Sequence, residues 1–478
     1  MRLIRRLPGP LAILLAVALV EGLCWTFAVP PLQGADESAH VEYVQKIVED
    51  GEIPWSNDFV LPRDYSPSVS TEQRLVWVWA GTEPLRGNAA ARPLWTSADE
   101  HVYEQRAKRL PPGGRGDGSN TTSFHTPPLY YLYASIPYAI AHGGSFFDRL
   151  YLMRLFNLPL ILLTVALTWL LAGEVFGRRR GLQTLAAGAV ALHPVLFDIA
   201  TRVSPDALLI PLVALALYLM ALLVNRGPRP RLIAALVATC AAAGFTQGRG
   251  LMLVLPALFA LAVALWRAHA PPDPRRRRAL LGAVAGGFAV AGGAIALFAT
   301  RGSVGGLGGF GSYLWQFYLP ALPGMSDPAG PHWTVQQVWM DRFFASYVQF
   351  EVFLPTDFVG VLRDAAWLGL ALCAAGVVRH RDAIWARREL VAVLVFALVG
   401  AVYFLHGAAF HSLVTDPLDP VITGRYVLGF LPLMGIGIAL AVTALSRRLG
   451  AGVGAAVLAG GALLQLSALG LVVARFYA

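Results

Sequence analysis

Residues 10–40 read PLAILLAVALVEGLCWTFAVPPLQGADESAH. The apolar part of this stretch extends to about residue 30, which suits a bilayer core about 30 Å thick that a helix of about 20 residues crosses. It then meets two acids and a histidine in Asp36-Glu37-Ser38-Ala39-His40. The stretch therefore predicts a membrane-spanning helix that emerges into a polar segment at the lipid border. A membrane enzyme would keep a catalytic base there, although an ordinary loop can also carry two acids that water solvates.

The composition extends this prediction to the whole chain. Of 478 residues, 56% are hydrophobic and only 14% are charged, and the mean hydropathy is +0.57. These values exclude a soluble protein of several ordinary domains. Only helices or closed barrels satisfy their backbone groups in lipid, and continuous apolar runs without alternation select helices. We predict an all-α polytopic membrane protein.

Arginines between the apolar runs predict its orientation. Clusters occur at 2–6, 178–180, 226–231, 267–278, 379–388 and 447–448. If all of them face the cytoplasm, the topology closes without contradiction, with a cytoplasmic N-terminus in the plasma membrane. Because Arg275 to Arg278 serve as a stop signal, the net charge of +9 does not indicate a nucleic-acid partner.

Apolar runs of sufficient length predict about 11 spans. They lie near 10–30, 151–173, 181–199, 207–224, 231–246, 251–267, 279–299, 361–378, 390–407, 427–445 and 450–472. The chain then divides into a first span (1–30), an external first loop (31–149), spans 2–7 (150–299), an external aromatic-rich loop (300–358), and spans 8–11 (359–478) with an external loop at 407–426. All the large loops face outward.

The first loop is too long to be structureless in a compact protein, so we expect a cap of interfacial helices. Residues 37–50 show helical apolar spacing, with Ser38 or Asp36 as a cap and Gly51 at the end. A second helix is predicted over 97–110. A third, over 125–142, is interrupted by Pro137 and carries tyrosines suited to the headgroup layer.

The order of several motifs resembles the GT-C membrane glycosyltransferases, which include the protein O-mannosyltransferases and the aminoarabinose transferase of lipid A. The motifs are the acidic pair after the first span, Gly51-Glu52-Ile53-Pro54, Pro127-Pro128-Leu129-Tyr130-Tyr131, Arg154, Ser204-Pro205-Asp206 and Gln247-Gly248-Arg249-Gly250. Later segments, Tyr313 to Pro320 and Thr423-Gly424-Arg425-Tyr426, resemble a largely uncharacterised GT-C-like bacterial family. The resemblance implies a GT-C-like bundle.

It also implies a reaction, the transfer of a sugar from a polyprenyl-phosphate donor to a glycan, lipid or protein acceptor on the external face. Asp36 would act as general base, with Glu37 and Asp206 as further catalytic acids. Positive charge must stabilise the leaving phosphate, or a divalent metal (Mg²⁺ or Mn²⁺) must do so, with Asp36 and Glu37 as its candidate ligands. The candidate substrate-binding residues are His40, His125, Arg154, Arg249, Arg425 and Tyr426. His125 and Thr126 stand where the aminoarabinose transferase has a lysine before its proline motif, so the donor phosphate is expected to be held differently.

Several of these residues have an alternative interpretation. Arg249 and Arg425 suit lipid headgroups as well as a substrate phosphate. Arg202 is a further phosphate candidate, but it can instead pair with Asp198 on one helix. Asp206 fits an ordinary helix start after Ser204 and Pro205. His40 fits a wet helix face.

Other motifs carry less weight. Gly306 to Gly311 is interpreted as a flexible loop. His406, His411, Asp416 and Asp419 have the residue types of a metal site, but their spacing favours a solvated loop. Trp315 and Trp333 suit sugar stacking or the membrane interface.

Two other functions remain open. A lipid or glycan transporter or flippase would also use charged groups near the membrane, although it usually keeps them within spans and has related halves. A ligase or polymerase that joins whole lipid-linked glycans would share the acceptor geometry.

Overall fold

The computed structural model describes residues 7–34, 36–55, 121–269, 306–319, 322–325, 335–348, 352–415 and 424–477, with a few isolated positions elsewhere. Its α-helices are α1 Gly9–Ala28, α2 Glu37–Gln45, α3 Leu129–Ile140, α4 Phe146–Phe156, α5 Leu158–Phe176, α6 Arg180–Ala191, α7 Pro194–Ala200, α8 Asp206–Arg226, α9 Pro230–Thr246, α10 Val254–His269, α11 Gly306–Tyr318, α12 Val335–Phe344, α13 Thr356–Arg379, α14 Arg381–Trp385, α15 Arg388–Thr415, α16 Leu431–Thr443 and α17 Arg447–Phe476. A π turn, Lys46–Asp50, continues α2, and 3-10 segments lie at Thr121–His125, Gly248–Leu253 and Gly424–Phe430.

Within the described residues, eight helical segments are long and apolar enough to cross a membrane, or nine if α6 and α7 form one broken span. The chain is therefore an all-α polytopic membrane protein, as predicted. The helix α9, at 17 residues, is shorter than these spans, and the span expected at 279–299 lies outside the described residues. A total of eleven spans thus stays a prediction.

Some predicted boundaries differ from the structure. The second span begins at Phe146, earlier than expected, and passes a helix junction at Asn157. The last span helix before residue 424, α15, continues to Thr415, so the first part of the segment expected as an external loop at 407–426 is helical. Both helices extend because apolar residues beyond the predicted ends pack on neighbouring elements; Phe147 and Phe410, for example, are buried.

The break between α6 and α7 follows from a proline. The two helices meet at an angle of 54°. Pro194 lacks a backbone N–H and disfavours helical geometry in the preceding residue, and His193 is accordingly extended, with φ −92° and ψ 107°.

Helix α8 is buried along most of its length and lies at the centre of the bundle, whereas α13 is largely exposed. Apolar side chains of α5, α8, α10, α15 and α16 form one core cluster, and a second cluster joins α1, α5, α6 and α17. Between α1 and α17 the Trp25 indole N–H donates to the Gln465 side-chain oxygen over 2.9 Å. Such a bond satisfies polar groups that would be costly in an apolar core.

In the first loop, α2 and α3 pack with α4 into a separate apolar cluster. The tyrosines of α3 were expected in the headgroup layer, but Tyr130, Tyr131 and Tyr138 are fully buried. Pro137 lies inside α3 without ending it. The opposite face exposes Leu132, Ile136 and Ile140, and their spacing of four residues forms a stripe suited to lipid. The helix expected at 97–110 lies outside the described residues apart from isolated positions.

The segment from Gly306 is helical and not the flexible loop that its glycines predict. Helix α11 is ordered by an aromatic cluster with α12 and α15. At its centre, the ring of the buried His406 has both nitrogens in hydrogen-bond contact, Nδ1 with the Tyr313 hydroxyl (2.9 Å) and Nε2 with the Tyr318 hydroxyl (2.8 Å). His406 is thus a packing residue and does not lie in a solvated loop. Asp416, Asp419 and Trp333 lie outside the described residues, and Trp315 is 40% exposed.

A short hairpin follows α12. Strands β1 (Ser346–Tyr347) and β2 (Val352–Phe353) pair antiparallel, with Ser346 opposite Phe353. The Asp198 carboxylate accepts a bond from the backbone N–H of Val348 over 3.1 Å, which ties the hairpin to α7. Val348 has φ +52°, a conformation costly for a β-branched residue. This bond helps to hold it there.

Candidate functional site

The loop between α1 and α2 is held in an unusual conformation. Leu32 and Asp36 have φ values of +60° and +55°, in the left-handed region. Gly34 lies against Arg202, and a Cβ at this glycine would be 2.7 Å from the Arg202 Cδ. Left-handed residues other than glycine concentrate at functional sites, where the surrounding structure enforces them.

Arg154 holds the end of α1 and the start of this loop through hydrogen bonds to their backbone. Its guanidinium donates to the carbonyl oxygens of Thr26 (3.1 Å), Val29 (2.7 Å) and Pro30 (3.0 Å). It also binds both oxygens of Glu37, at 2.8 and 2.5 Å, and both side chains are completely buried. The backbone N–H of Val203 donates to the same carboxylate over 3.1 Å.

These contacts assign Glu37 and Arg154 to the scaffold of the site. Burial alone would raise the pKa of Glu37, but Arg154 and the Val203 N–H outweigh it, so the pKa lies below its ordinary value. Neither side chain is accessible to a substrate in this arrangement, although both were predicted as site residues. Since both Glu37 oxygens accept bonds from Arg154, they do not fit a metal site shared with Asp36. Among the described residues, no group of three or more His, Cys, Asp or Glu side chains suits a metal ion.

Asp36 points differently from its neighbour Glu37. Its side chain is 52% exposed and contacts Arg425, with 3.3 Å between Oδ2 and Nη2. Asp36 and Ser38 were the two residues expected to cap α2, but Asp36 has a left-handed backbone and makes no side-chain cap bond, and Ser38 lies within the helix. The aspartate is therefore an accessible carboxylate beside a guanidinium.

A second pair of the same type lies nearby. The Nη2 atom of Arg249 donates to Oδ1 of Asp206 over 2.7 Å and to Oε1 of Gln247 over 2.6 Å. Asp206 begins α8, and its backbone N–H donates to the Ser204 hydroxyl over 3.3 Å. The predicted helix start is thus present, and it also carries a charged side chain into the site.

Tyr426 connects the two pairs. The guanidinium carbon of Arg249 lies 3.8 Å from the centre of its ring, and that of Arg425 lies 5.3 Å away. The charges of Asp36 and Asp206 both act on Arg425. Five predicted residues, Asp36, Asp206, Arg249, Arg425 and Tyr426, thus meet in one group, which we call the paired-arginine site. Cations over an aromatic face are attracted by the ring quadrupole.

Two glycines beside the arginines of this site pack closely against the backbone of other helices. At Gly250 a Cβ would lie 2.2 Å from the carbonyl carbon and oxygen of Ala243, and at Gly424 it would lie 2.1 Å from the carbonyl oxygen of Trp339. Each glycine adjoins one of the arginines, and backbone packs against backbone there. Both glycines belong to the motifs that contain Arg249 and Arg425. The sequence did not reveal that their backbones pack against other helices.

His40 lies behind the site and is buried, where a wet helix face was one expectation. Its Nδ1 atom is 2.9 Å from the Tyr131 hydroxyl and 3.1 Å from the Ser123 hydroxyl. Burial lowers the pKa of His40 to about 4, although the charges of Asp36 and Asp206 oppose this shift. His40 is therefore neutral at neutral pH.

The sequence did not indicate the two residues that contact His40, and the predicted residue His125 lies at the edge of the site. Ser123 and Tyr131 gave no sequence signal for contact with His40, because hydroxyl residues in a loop and a tyrosine near lipid are ordinary. His125 is exposed at the end of the 3-10 turn that carries Ser123. Arg202 is buried and pairs with Asp198 over 3.3 Å, so the alternative interpretation of this arginine is confirmed.

The fold and this site together define a class: a polytopic helical membrane protein with a charged group at one end of its bundle. Residues 19–434 match the family described as Predicted membrane protein (DUF2142), and the chain belongs to this family. No curated protein and no solved structure matches the chain.

Proposed function

We propose that this protein is a membrane glycosyltransferase of GT-C type, which transfers a sugar from a polyprenyl-phosphate donor to a glycan, lipid or protein acceptor. The observation that carries the proposal is the paired-arginine site. It holds an accessible carboxylate, Asp36, beside the guanidinium of Arg425, and the Tyr426 ring links Arg425 to a second guanidinium, that of Arg249. Both arginines lie at the ends of membrane spans. Donor phosphates reach this depth because their lipid tails remain in the bilayer.

In the proposed reaction, Asp36 accepts the proton of an acceptor hydroxyl as its oxygen forms a bond to the anomeric carbon of the sugar. The bond between that carbon and the phosphate oxygen breaks, and its electron pair leaves with the polyprenyl phosphate. General-base assistance of this kind is worth roughly a hundred- to ten-thousand-fold in rate. No step in this scheme requires a metal.

Arg425 and Arg249 would stabilise the negative charge on the leaving phosphate. A guanidinium binds two phosphate oxygens through parallel hydrogen bonds. Because the bond between Asp36 and Arg425 is 3.3 Å long and the carboxylate is half exposed, a bound phosphate would compete for Arg425 and release Asp36 for proton transfer. Asp206 and Gln247 would orient Arg249, and the Tyr426 ring would keep the two arginines on the same surface.

Three residues next to the site, His40, Glu37 and Arg154, would keep Asp36 in position for this reaction. His40, neutral and hydrogen-bonded, would keep the start of α2 packed on α3. Glu37 and Arg154 would fix the loop that presents Asp36. The active site would face the exterior of the plasma membrane, as the arginine clusters at the other helix ends indicate.

The test is the substitution Asp36→Asn, assayed with purified protein and candidate polyprenyl-phosphate sugars. We expect sugar transfer to fall by roughly a hundredfold or more, because the amide cannot accept the proton, while insertion and thermal stability stay close to those of the native protein. Asp364→Asn is the matched control, since this aspartate is 77% exposed on α13. Transfer by Asp36→Asn at the native rate would refute the assignment of the base.

One observation favours a transporter or flippase as the second candidate. The broken span α6–α7 carries a buried histidine, His193, at its break, and discontinuous helices with ionisable groups are typical of transporters. Proteoliposomes with a labelled lipid-linked sugar separate the two functions. Movement of the label across the bilayer without a new glycosidic bond would favour the flippase, and joining of whole glycans would favour a ligase or polymerase.

A further inference from the structure

A second polar site lies at the opposite end of the bundle from the paired-arginine site. Helix α8 begins at Asp206 in that site and ends at Arg226, and its 21 residues span about 30 Å at 1.5 Å per residue. Around Arg226 the ends of α5, α8 and α10 and the start of α15 line an open cleft of about 620 Å³. This volume is within the range of about 300–1,000 Å³ of small-molecule sites.

The lining of the cleft carries more positive than negative charge. Four arginines, Arg178, Arg226, Arg267 and Arg387, face the cleft with two acids, Glu174 and Glu389. The difference is a surplus of two positive charges. An anion in the cleft would reduce the repulsion between the guanidiniums.

Two of the arginines hold the walls of the cleft together. Arg387, at the start of α15, donates through Nη1 to the carbonyl oxygens of Glu174 (2.9 Å) and Val175 (2.8 Å) on α5. Arg267 on α10 donates to the carbonyl oxygen of Val224 on α8 over 2.9 Å. These bonds link four helices, so the cleft is pre-formed. A guanidinium has five N–H donors, and each of these arginines uses one nitrogen here.

The other two arginines supply the charge available to a ligand. Arg226 pairs with Glu174 over 2.8 Å and is itself 43% exposed. Arg178 is exposed, and in the described part of the chain no carboxylate lies within ion-pair distance of it. Its backbone φ is +63°, directly after Gly177 at +67°. A left-handed conformation at a residue other than glycine is uncommon and is held by its surroundings.

We propose that this cleft binds a phosphate-bearing anion, with Arg178 and Arg226 as its principal ligands. The ends of membrane spans meet the headgroup layer, and basic pockets between such helix ends are suited to the phosphates of anionic lipids. A free phosphate group from solution has the same chemistry, and the experiment distinguishes the two sources. This site is separate from the proposed sugar transfer and does not depend on it.

The test uses the full-length protein in detergent with added lipid. Thermal unfolding is followed during titration with phosphatidylglycerol, with phosphatidylcholine, and with inorganic phosphate. We expect a saturable rise in Tm with phosphatidylglycerol and none with phosphatidylcholine, and Arg178→Gln should weaken apparent binding about tenfold, which corresponds to about 1.4 kcal/mol. Arg178→Glu should abolish it. A response to inorganic phosphate that depends on Arg178 supports the same site and identifies the source as soluble.

Arg381→Gln is the matched control, because Arg381 is 81% exposed and lies outside the cleft near its α15 wall. It removes the same charge close to the cleft. The proposal is overturned if Arg178→Gln leaves the response to both anions unchanged, or if Arg381→Gln weakens it equally, which would indicate general attraction to a basic surface. Since Arg178 is exposed, Arg178→Gln is expected to fold, and size-exclusion chromatography checks this.

Discussion

Asp36 and Glu37 are neighbours with similar side chains, yet they occupy different environments. Glu37 is enclosed with Arg154 below the loop, whereas Asp36 is half exposed and faces Arg425. The left-handed backbone at Asp36 separates the two carboxylates. At this scale, a pattern of residue types identifies a charged segment, and only the backbone conformation distinguishes an accessible carboxylate from a structural one.

The buried pair leads to a prediction of stability. Replacing one partner, as in Glu37→Gln, leaves the other charge buried without compensation, and breaking such pairs costs about 3–5 kcal/mol. We expect Glu37→Gln and Arg154→Gln each to lower the apparent Tm strongly. Asp36→Asn, one residue away but half exposed, should change it little. Equal stability of Glu37→Gln and Asp36→Asn, measured by thermal unfolding in detergent, would contradict the structural role of the pair.

His40 predicts a dependence of stability on pH. Its folded pKa of about 4 lies below the ordinary value of 6.5, so the unfolded chain binds a proton more readily. The contribution of a neutral, buried His40 to the stability of the fold is therefore complete above pH 6.5, and it is lost as the pH falls towards about 4. The variant His40→Gln should show a smaller fall over this interval. Apparent Tm values at pH 7.5 and pH 5 for both proteins measure the effect, and parallel changes would show that His40 does not contribute.

At the scale of elements, short turns place the charged residues at the helix ends. The 3-10 segments Gly248–Leu253 and Gly424–Phe430 each carry one arginine of the paired-arginine site, and each turn has one glycine in contact with the backbone of another helix. The hydropathy pattern predicted the adjoining spans well, because apolar length is a local property. It gave no information on these turns, whose shape depends on backbone contacts: Gly250 with Ala243 of the preceding helix, and Gly424 with the distant Trp339.

Substitution of these glycines should therefore move the arginines. In Gly424→Ala the added methyl group would meet the carbonyl oxygen of Trp339, and overpacking of this kind typically costs about 1–3 kcal/mol. We expect reduced Tm and a loss of transfer activity even though no charged group changes. Gly360→Ala on α13 is the control, since a Cβ there has no heavy atom within 4 Å. Native activity in Gly424→Ala would mean that the turn tolerates a shift.

At the scale of the molecule, the two charged sites lie at opposite ends of one bundle. The arginine clusters predict that the cleft faces the cytoplasm and the paired-arginine site faces outward. Core clusters that join α1 with α17 and α5 with α16 connect the beginning and end of the chain. Because the two sites are expected on opposite sides of the membrane, labelling from one side tests the orientation directly.

Single cysteines introduced into a variant without Cys24, Cys240 and Cys373 report the orientation. Trp55→Cys lies at the end of the bundle that holds Asp36, and Arg381→Cys lies near the cleft; both native side chains are exposed. A membrane-impermeant maleimide should label Trp55→Cys on intact cells, and Arg381→Cys only after permeabilisation. Labelling in the reverse order would invert the topology and move the proposed active site to the cytoplasm.

The sequence by itself determined the all-α membrane class, most span positions, and the residue types of the site, because apolar length and charge depend only on local composition. It also marked Asp36, Asp206, Arg249, Arg425 and Tyr426. Tertiary structure alone decided that Arg425 meets Asp36 across 389 positions, that Glu37 is part of the scaffold, that His40 is buried, and that the glycine segment at 306 is helical. Each of these outcomes depends on which distant side chain fills the adjacent space, and a one-dimensional pattern of hydropathy and charge does not contain that information.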